Sequence, residues 1–427
     1  MSDLLHAYNG PRVLSLREQS RVVDEVLRDR FKTILPMALR EAGLDMWIIV
    51  CNEDNYDPVF KTMLPWECHW APILQIVVLH DKGKRAGVER LNVSRTDMLG
   101  MMKPAWKPDG KLDQWATLRK LVSERNPKRI GINQSDVIWA ADGLTATLKN
   151  KLVKALGPRF APRLVSAEKA CTHWLATLTG RELDLYEHVC GVAHAIIASC
   201  FSKTAITAGV TTCDDLRWRF WQTASDLGLG VSFQPYFSRI RSKKSARHWG
   251  KDDKAIRHGD ILHCDVGIEY LRLMSDHQEL AYVLRPDETE PPQGLRDGLA
   301  WANRLQDVFA GVWGKSLGLS GNEILERALK AAHKEGIPNP KIYSHSLGHC
   351  LHEPGPLIGL PWEQVNTGAR GQVVLDHNMC FTMELCVRCP VPEWGGQEVV
   401  FGLEQDVSFT PPGIHFIAAR QTGFHLI

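Results

Sequence analysis

Two aspartates, Asp265 and Asp276, stand eleven residues apart in "HCDVGIEYLRLMSD". Most of what lies between them alternates apolar and polar, the period-2 pattern of β-structure. Farther on, "YSHSLGHCLHEPGP" over 343–356 holds His345, His349 and His352, and "CFTMEL" and "FGLEQD" bring Glu384 and Glu404. A carboxylate in apolar, strand-like surroundings is costly to bury without a partner. One such acid is accounted for by local hydrogen bonding. Four acids and a histidine, each set in such a run, call for a strong positive charge at their centre. Two divalent cations supply it, because bridging carboxylates hold a metal pair about 3.5–4 Å apart and activate a shared water. An oxygen-rich set with one imidazole suits Mn²⁺, with Co²⁺ or Zn²⁺ able to bind in vitro. On this reading the two arms of one hairpin aim Asp265 and Asp276 at a common site.

The elements that must position these residues fall into two blocks. The chain of 427 residues is long enough for two or three domains. Residues 1–165 read as α/β: apolar runs at Trp47–Cys51, Ile73–Leu79 and "RIGIN" at 129–133 alternate with helical stretches such as Gln19–Ala42. The segment 156–166, with two prolines and a glycine, is expected as a linker. Residues 166–427 read as α+β. Leu185, Val189, Val192 and Ile196 share one helical face, a helix is expected after Thr212, and Ser320 with Glu323 makes a capping box that opens another. Strand-like runs dominate 261–284 and 379–409 and carry the acids.

Composition excludes several classes. A net charge of +2 exerts no global pull toward nucleic acid or acidic membranes, and the longest apolar runs fall far short of the ~20 residues that cross a bilayer. The N-terminal stretch "MSDLLHAYNGPRV" has neither the basic nor the apolar region of a signal peptide. Eleven cysteines, scattered without a framework, fit a reducing cytoplasm, and Cys386 and Cys389 are expected as ordinary thiols because no second pair completes a zinc site. The basic run "RIRSKKSARH" at 239–248 is expected as a solvated loop.

The order Asp, Asp, His, Glu, Glu, carried by "GDILHCDVG", "HSLGHCLHEPGP", "FTME" and "LEQD", resembles the pita-bread metallohydrolases. That family includes methionine aminopeptidase, aminopeptidase P, prolidase and creatinase. The likeness covers about 180–427, and the α/β half is similar to the domain that precedes the catalytic one in the prolidase and creatinase branch. It implies an α/β N-terminal domain followed by an α+β pita-bread catalytic domain. It further implies that Asp265, Asp276, His345, Glu384 and Glu404 bind two metal ions. His345 is preferred to His349 because it stands seven residues before His352, which Glu353 and Pro354 follow as in the family. His352 then matches the family histidine that contacts substrate or the developing oxyanion, Glu384 a proton shuttle, and His248 a further family histidine upstream of the first aspartate.

Departures from the family pattern spare these positions and change their surroundings. Ser346 replaces a glycine, Leu385-Cys386 replaces Pro-Gly after Glu384, Glu279 stands for an arginine, Gly402 for another, and Gln405 for an acid. The resemblance implies a cytoplasmic, homodimeric peptidase for small peptides at Xaa-Pro bonds, with no nucleic-acid or membrane partner. The same fold and metals acting on a non-peptide small molecule, as hydrolase or lyase, form the second reading. A peptide- or RNA-binding module that has lost its ligands forms the third, and the five filled ligand positions argue against it.

Overall fold

The computed structural model describes residues 8–427, so most of the stretch read for a signal peptide lies outside the described residues. Compactness divides the chain into one unit over Leu14–Arg181 and another built from Glu182–Ile427 with residues 8–13.

In the first unit, α1 (Leu16–Glu41) opens on a capping box in which Glu18 reaches back to the Ser15 backbone. Strands β1 (Met46–Asn52), β2 (Leu74–Asp81), β3 (Val88–Asn92), β4 (Lys103–Pro104), β5 (Ile130–Ile132) and β6 (Leu164–Ser166) form one sheet in the order β4-β3-β2-β1-β5-β6. Strand β1 is buried on both faces, which is why it reads as an unbroken apolar run rather than an alternation. The helices α2 (Pro58–Thr62), α3 (Gln114–Arg125), α4 (Ala146–Phe160) and α5 (Glu168–Ala176) complete the unit. The expected linker at 156–166 is not one. Gly157, at φ +64°, kinks α4; a short turn at Ala161–Arg163 follows, and β6 pairs in parallel with β5. The prolines and glycine mark a bend inside the fold, and the break in compactness falls after Arg181 rather than at 165.

The second unit begins with α6 (Gly180–Cys200), which buries Val189, Val192 and Ile196 along one face. Helices α7 (Cys213–Asp226), α8 (Lys243–Trp249), α9 (Gln293–Trp313) and α10 (Gly321–Lys334) follow, with capping boxes at Thr212/Asp215 and Ser320/Glu323. The basic run at 239–248 is a strand end and α8 rather than a solvated loop. Arg241 is ion-paired to Asp253 at 2.7 Å and Asp260 at 2.6 Å.

Strands β7 (Gly230–Val231), β8 (Tyr236–Ile240), β9 (Ile261–Val266), β10 (Ile268–Tyr270), β11 (Leu273–Met274), β12 (His277–Tyr282), β13 (Lys341–Ile342), β14 (Ser344–Leu347), β15 (Leu357–Ile358), β16 (Met379–Val391), β17 (Gln397–Thr410), β18 (Gly413–Phe416) and β19 (His425–Leu426) make up the β-structure of this unit. The main sheet runs β15-β14-β16-β17-β12-β9-β8, and β7, β10 and β11 form a small separate sheet. All eleven cysteines are free thiols. No described helix is long and apolar enough to cross a membrane.

Helix α9 holds the long β16–β17 hairpin in place. Trp313 stacks on Phe309 and meets Phe381 edge-on, with centroids 4.6 and 4.8 Å apart. Gly298 lets the helix approach so closely that a Cβ there would fall 2.2 Å from two ring carbons of the buried Phe401. Alanine is the better helix former by ~1 kcal/mol, but such overlap costs ~1–3 kcal/mol. Gly298→Ala is therefore expected to lower the denaturation midpoint, against its helix propensity. A midpoint at or above that of the wild type would show that the contact is looser than described.

Candidate metal centre

Strand register assembles the acids. Asp265 of β9 lies opposite Gln278 of β12, Gln278 opposite Glu404 of β17, and Glu404 opposite Glu384 of β16. Four neighbouring strands thus present Asp265, Gln278, Glu404 and Glu384 in one row. Asp276 immediately precedes β12, and His345 comes from β14. Ligand atoms of Asp276, His345 and Glu404 all lie within 4.8 Å of one another, with His345 Nε2 3.7 Å from Asp276 Oδ2. These three are at most 5 % exposed, whereas Asp265 and Glu384 are only partly buried and form the mouth. The hairpin reading holds in outline: β9 and β12 are antiparallel and the small strands β10 and β11 fill the connection.

The buried acids hold their protons more tightly than exposed ones do. Burial pushes Asp265 up to about 6 and Glu384 up to about 8, the latter helped by Asp265, and raises Asp276 and Glu404 well above the ordinary carboxylate range. Asp276 Oδ1 and Glu404 Oε1 are buried without a hydrogen-bond partner. His345 is held neutral, down to about 3, by burial and by the neighbouring His352 ring 4.3 Å away. Neutral imidazole and carboxylates lacking donors are the state in which such groups ligate divalent metal. The residues therefore fit a metal pair.

The other histidines differ in position. His349 is bonded to Glu182 of α6 at 2.8 Å, so the structure brings His345 to the acids and His349 to a different partner. His352 stands beside His345, its proton affinity lowered by burial and then by Arg370. His248 lies exposed on α8 with its ring against Trp249, apart from the buried set.

Two residues that sequence reasoning did not single out, Gln278 and Arg370, complete the site. The Gln278 side-chain amide donates to both Glu384 and Glu404, while its oxygen faces His263 Nε2 at 3.0 Å. Its place two residues after Asp276 on the same strand is a signal that was available. Gly402 makes room for that pair, since a Cβ there would meet Gln278 Oε1 at 3.2 Å and His263 Nε2 at 3.6 Å. Arg370 reaches in from a long connection and donates to the Glu353 carbonyl at 2.9 Å. No local pattern marks it. Glu279, in place of the family arginine, is bonded to His194 at 2.6 Å and to His425; burial alone would raise it, but these histidines hold it well below the usual carboxylate range.

Comparison with known proteins agrees with this architecture. The profile of Metallopeptidase family M24 matches residues 184–411. The X-Pro aminopeptidase from Thermotoga maritima superposes with a TM-score of 0.64 at 16 % identity, over 92 % of this chain and 100 % of that one. The Xaa-Pro dipeptidase from Bacillus anthracis gives 0.58 at 17 % identity, over 97 % and 100 %. The dipeptidase from Pyrococcus horikoshii gives 0.59 at 17 %, over 93 % and 100 %. At these identities the superpositions establish the fold. No curated protein sequence matches the chain.

The raised carboxylates set a pH dependence for the metal-free protein. Between about pH 4, where carboxyls of an unfolded chain titrate, and about 8, where Glu384 does, the folded state binds more protons than the unfolded one. Folding stability is then full below the unfolded values and falls as pH rises through this window. Bound divalent cations favour the deprotonated side chains and offset the loss. Melting temperatures of chelator-treated and metal-loaded protein are expected to diverge from about pH 5 to about pH 8. A gap that stays constant or narrows would contradict this account.

Proposed function

The chain belongs to Metallopeptidase family M24 and is a metal-dependent peptidase, and we propose that it hydrolyses small peptides at Xaa-Pro bonds, as an aminopeptidase or dipeptidase. The observation that carries the reading is the row of acids across four strands, with Asp276 and His345 closing it, because buried carboxylates and an imidazole converging on one space suit a cation pair. Asp265, Asp276, His345, Glu384 and Glu404 hold two divalent ions in this proposal, with Mn²⁺ favoured by the oxygen-rich donor set. When bound, the ions supply an activated water and polarise the scissile carbonyl.

The chain's own residues do the rest. Glu384 Oε1 accepts from the Gln278 amide, which leaves Oε2 to take the proton of the attacking water and deliver it to the leaving nitrogen. His352, neutral at pH 7, donates its ring N–H to the carbonyl oxygen as negative charge develops there. Arg370 places positive charge near it. His248 is proposed, from the resemblance alone, as a second contact to the substrate.

Xaa-Pro specificity rests on the family resemblance and on the names of the proteins with this fold. An Xaa-Pro bond lacks an amide hydrogen and carries a fixed ring, so only a shaped pocket cleaves it well. A cytoplasmic homodimer acting on small peptides, with no nucleic-acid or membrane partner, completes the proposal. The second reading, a non-peptide small molecule as substrate, draws on Glu279 and Leu385-Cys386, which change the surroundings of the acids.

Metal-dependent cleavage of an Xaa-Pro panel is expected. His352→Ala should reduce turnover about 100-fold or more, as loss of an oxyanion donor does, with metal content intact. A fully metallated protein that leaves dipeptides and longer Xaa-Pro peptides uncut would transfer the proposal to the non-peptide reading. Asp276→Ala and Glu404→Ala are each expected to abolish activity and lower bound metal on elemental analysis. Full occupancy in both would remove these residues from the ligand set. His345→Ala should lose metal and His349→Ala retain it, and the reverse would exchange their roles.

A further inference from the structure

Behind the row of acids lies a second set of metal-ligating side chains that shares no residue with it. Cys190 projects from α6, His277 opens β12, and Asp406 lies two residues beyond Glu404 on β17. All three are wholly buried, and their ligand atoms lie within 4.8 Å of one another. Cys190 Sγ is 3.3 Å from Asp406 Oδ2, and His277 Nε2 is 3.6 Å from the same oxygen. Neither nitrogen of the His277 ring has a hydrogen-bond partner, nor does Asp406 Oδ1.

A hydrogen bond from the Cys190 thiol to Asp406 Oδ2 at 3.3 Å accounts for that pair but leaves His277 without a partner. The contact between His277 and Asp406 is longer than a charge-assisted hydrogen bond, typically about 2.7–2.9 Å. An imidazole with both nitrogens buried and unsatisfied is rare in a folded protein. The spacing does match coordination. Metal distances of about 2.3 Å to sulfur and about 2.0–2.2 Å to nitrogen and oxygen place tetrahedral donors about 3.3–3.7 Å apart. The two measured separations, 3.3 and 3.6 Å, fall in that range. Thiolate and carboxylate together balance a divalent cation, so the loaded site is neutral and compatible with full burial.

We propose that Cys190, His277 and Asp406 form a buried structural site for a thiophilic divalent cation, zinc by its donor chemistry. Sulfur selects against Mn²⁺ and for Zn²⁺ or Co²⁺, so the two sites take different metals. The Asp276 backbone N–H donates to Asp406 Oδ2 at 3.3 Å, and His277 is the next residue in the chain. The buried cation thereby holds the backbone of an aspartate that faces the acid row. The His194 ring lies 4.4 Å from His277 and is tied to Glu279, which fixes the imidazole from its other side.

The test uses the full chain, stripped of metal and reloaded with Co²⁺ or Zn²⁺. The acid row contains no thiolate, so a thiolate-to-cobalt charge-transfer band in the near ultraviolet reports only on a cysteine site. The expected result is such a band in the wild type, its loss in Cys190→Ser and in Asp406→Asn, and one zinc fewer per chain in each. X-ray absorption of the zinc-loaded wild type should show a Zn–S distance of about 2.3 Å. This last measurement stands even where a variant does not fold. Absence of the band and of Zn–S scattering from the wild type overturns the proposal, as does a folded Cys190→Ser protein with unchanged band and zinc content. Neither result bears on the peptidase reading, whose loss would show in the acid-site variants instead.

Discussion

Mutual repulsion among four carboxylates that face one space is the constraint on which the second unit is built. Strand pairing brings Asp265, Glu384 and Glu404 into a row, and Asp276 adds a fourth acid beneath. Left to themselves these groups hold protons that an exposed acid would have shed, as their raised proton affinities record. Only one neutral amide, Gln278, interrupts the row, and it donates to an acid on each of β16 and β17. The surrounding elements resist separation of the strands: α9 packs through Gly298 onto Phe401, and its Trp313 packs onto Phe381. A sheet held this firmly can present charges that would otherwise drive it apart.

Much of this was legible from residue order. The strand-like runs in 261–284 and 379–409, the helix expected after Thr212, the capping box at Ser320, and the spacing of the acids all reflect local physics, and the structure carries each of them. The prolines and glycine of 156–166 were misleading because they signal a bend without saying whether the chain leaves the fold. The arginines of 239–248 misled in the same way, since Asp253 and Asp260, which pair with Arg241, become its neighbours only after folding. Arg370 and Cys190 gave no sequence signal for a related reason. Each is a single residue whose meaning lies in what other elements bring to it.

The positions that depart from the family pattern form compensated sets rather than isolated losses. Gly402 creates the space that the His263–Gln278 pair occupies. Glu279 is enclosed by His194 and His425, so an acid stands where a base is usual and its partners carry the complementary chemistry. Gln405, where an acid is usual, instead accepts a hydrogen bond from the Gln306 amide of α9. A neutral amide pair and a histidine-bound acid thus stand around an otherwise familiar set of ligands.

The amide of Gln278 joins parts of the chain 106 and 126 positions apart in sequence. No hairpin of the second unit contains enough of the acid row to bind a cation pair by itself. As the polypeptide leaves the ribosome, the β9–β12 arms emerge first with two aspartates, and the ligand set stays incomplete until β17 has been synthesised and zipped against β12. Closure of long loops is slow, so this last pairing comes late in folding. Cation capture then acts as a seal on a finished sheet rather than as a seed for it, and a chain truncated before Glu404 keeps its aspartates but lacks the ligand that β17 supplies.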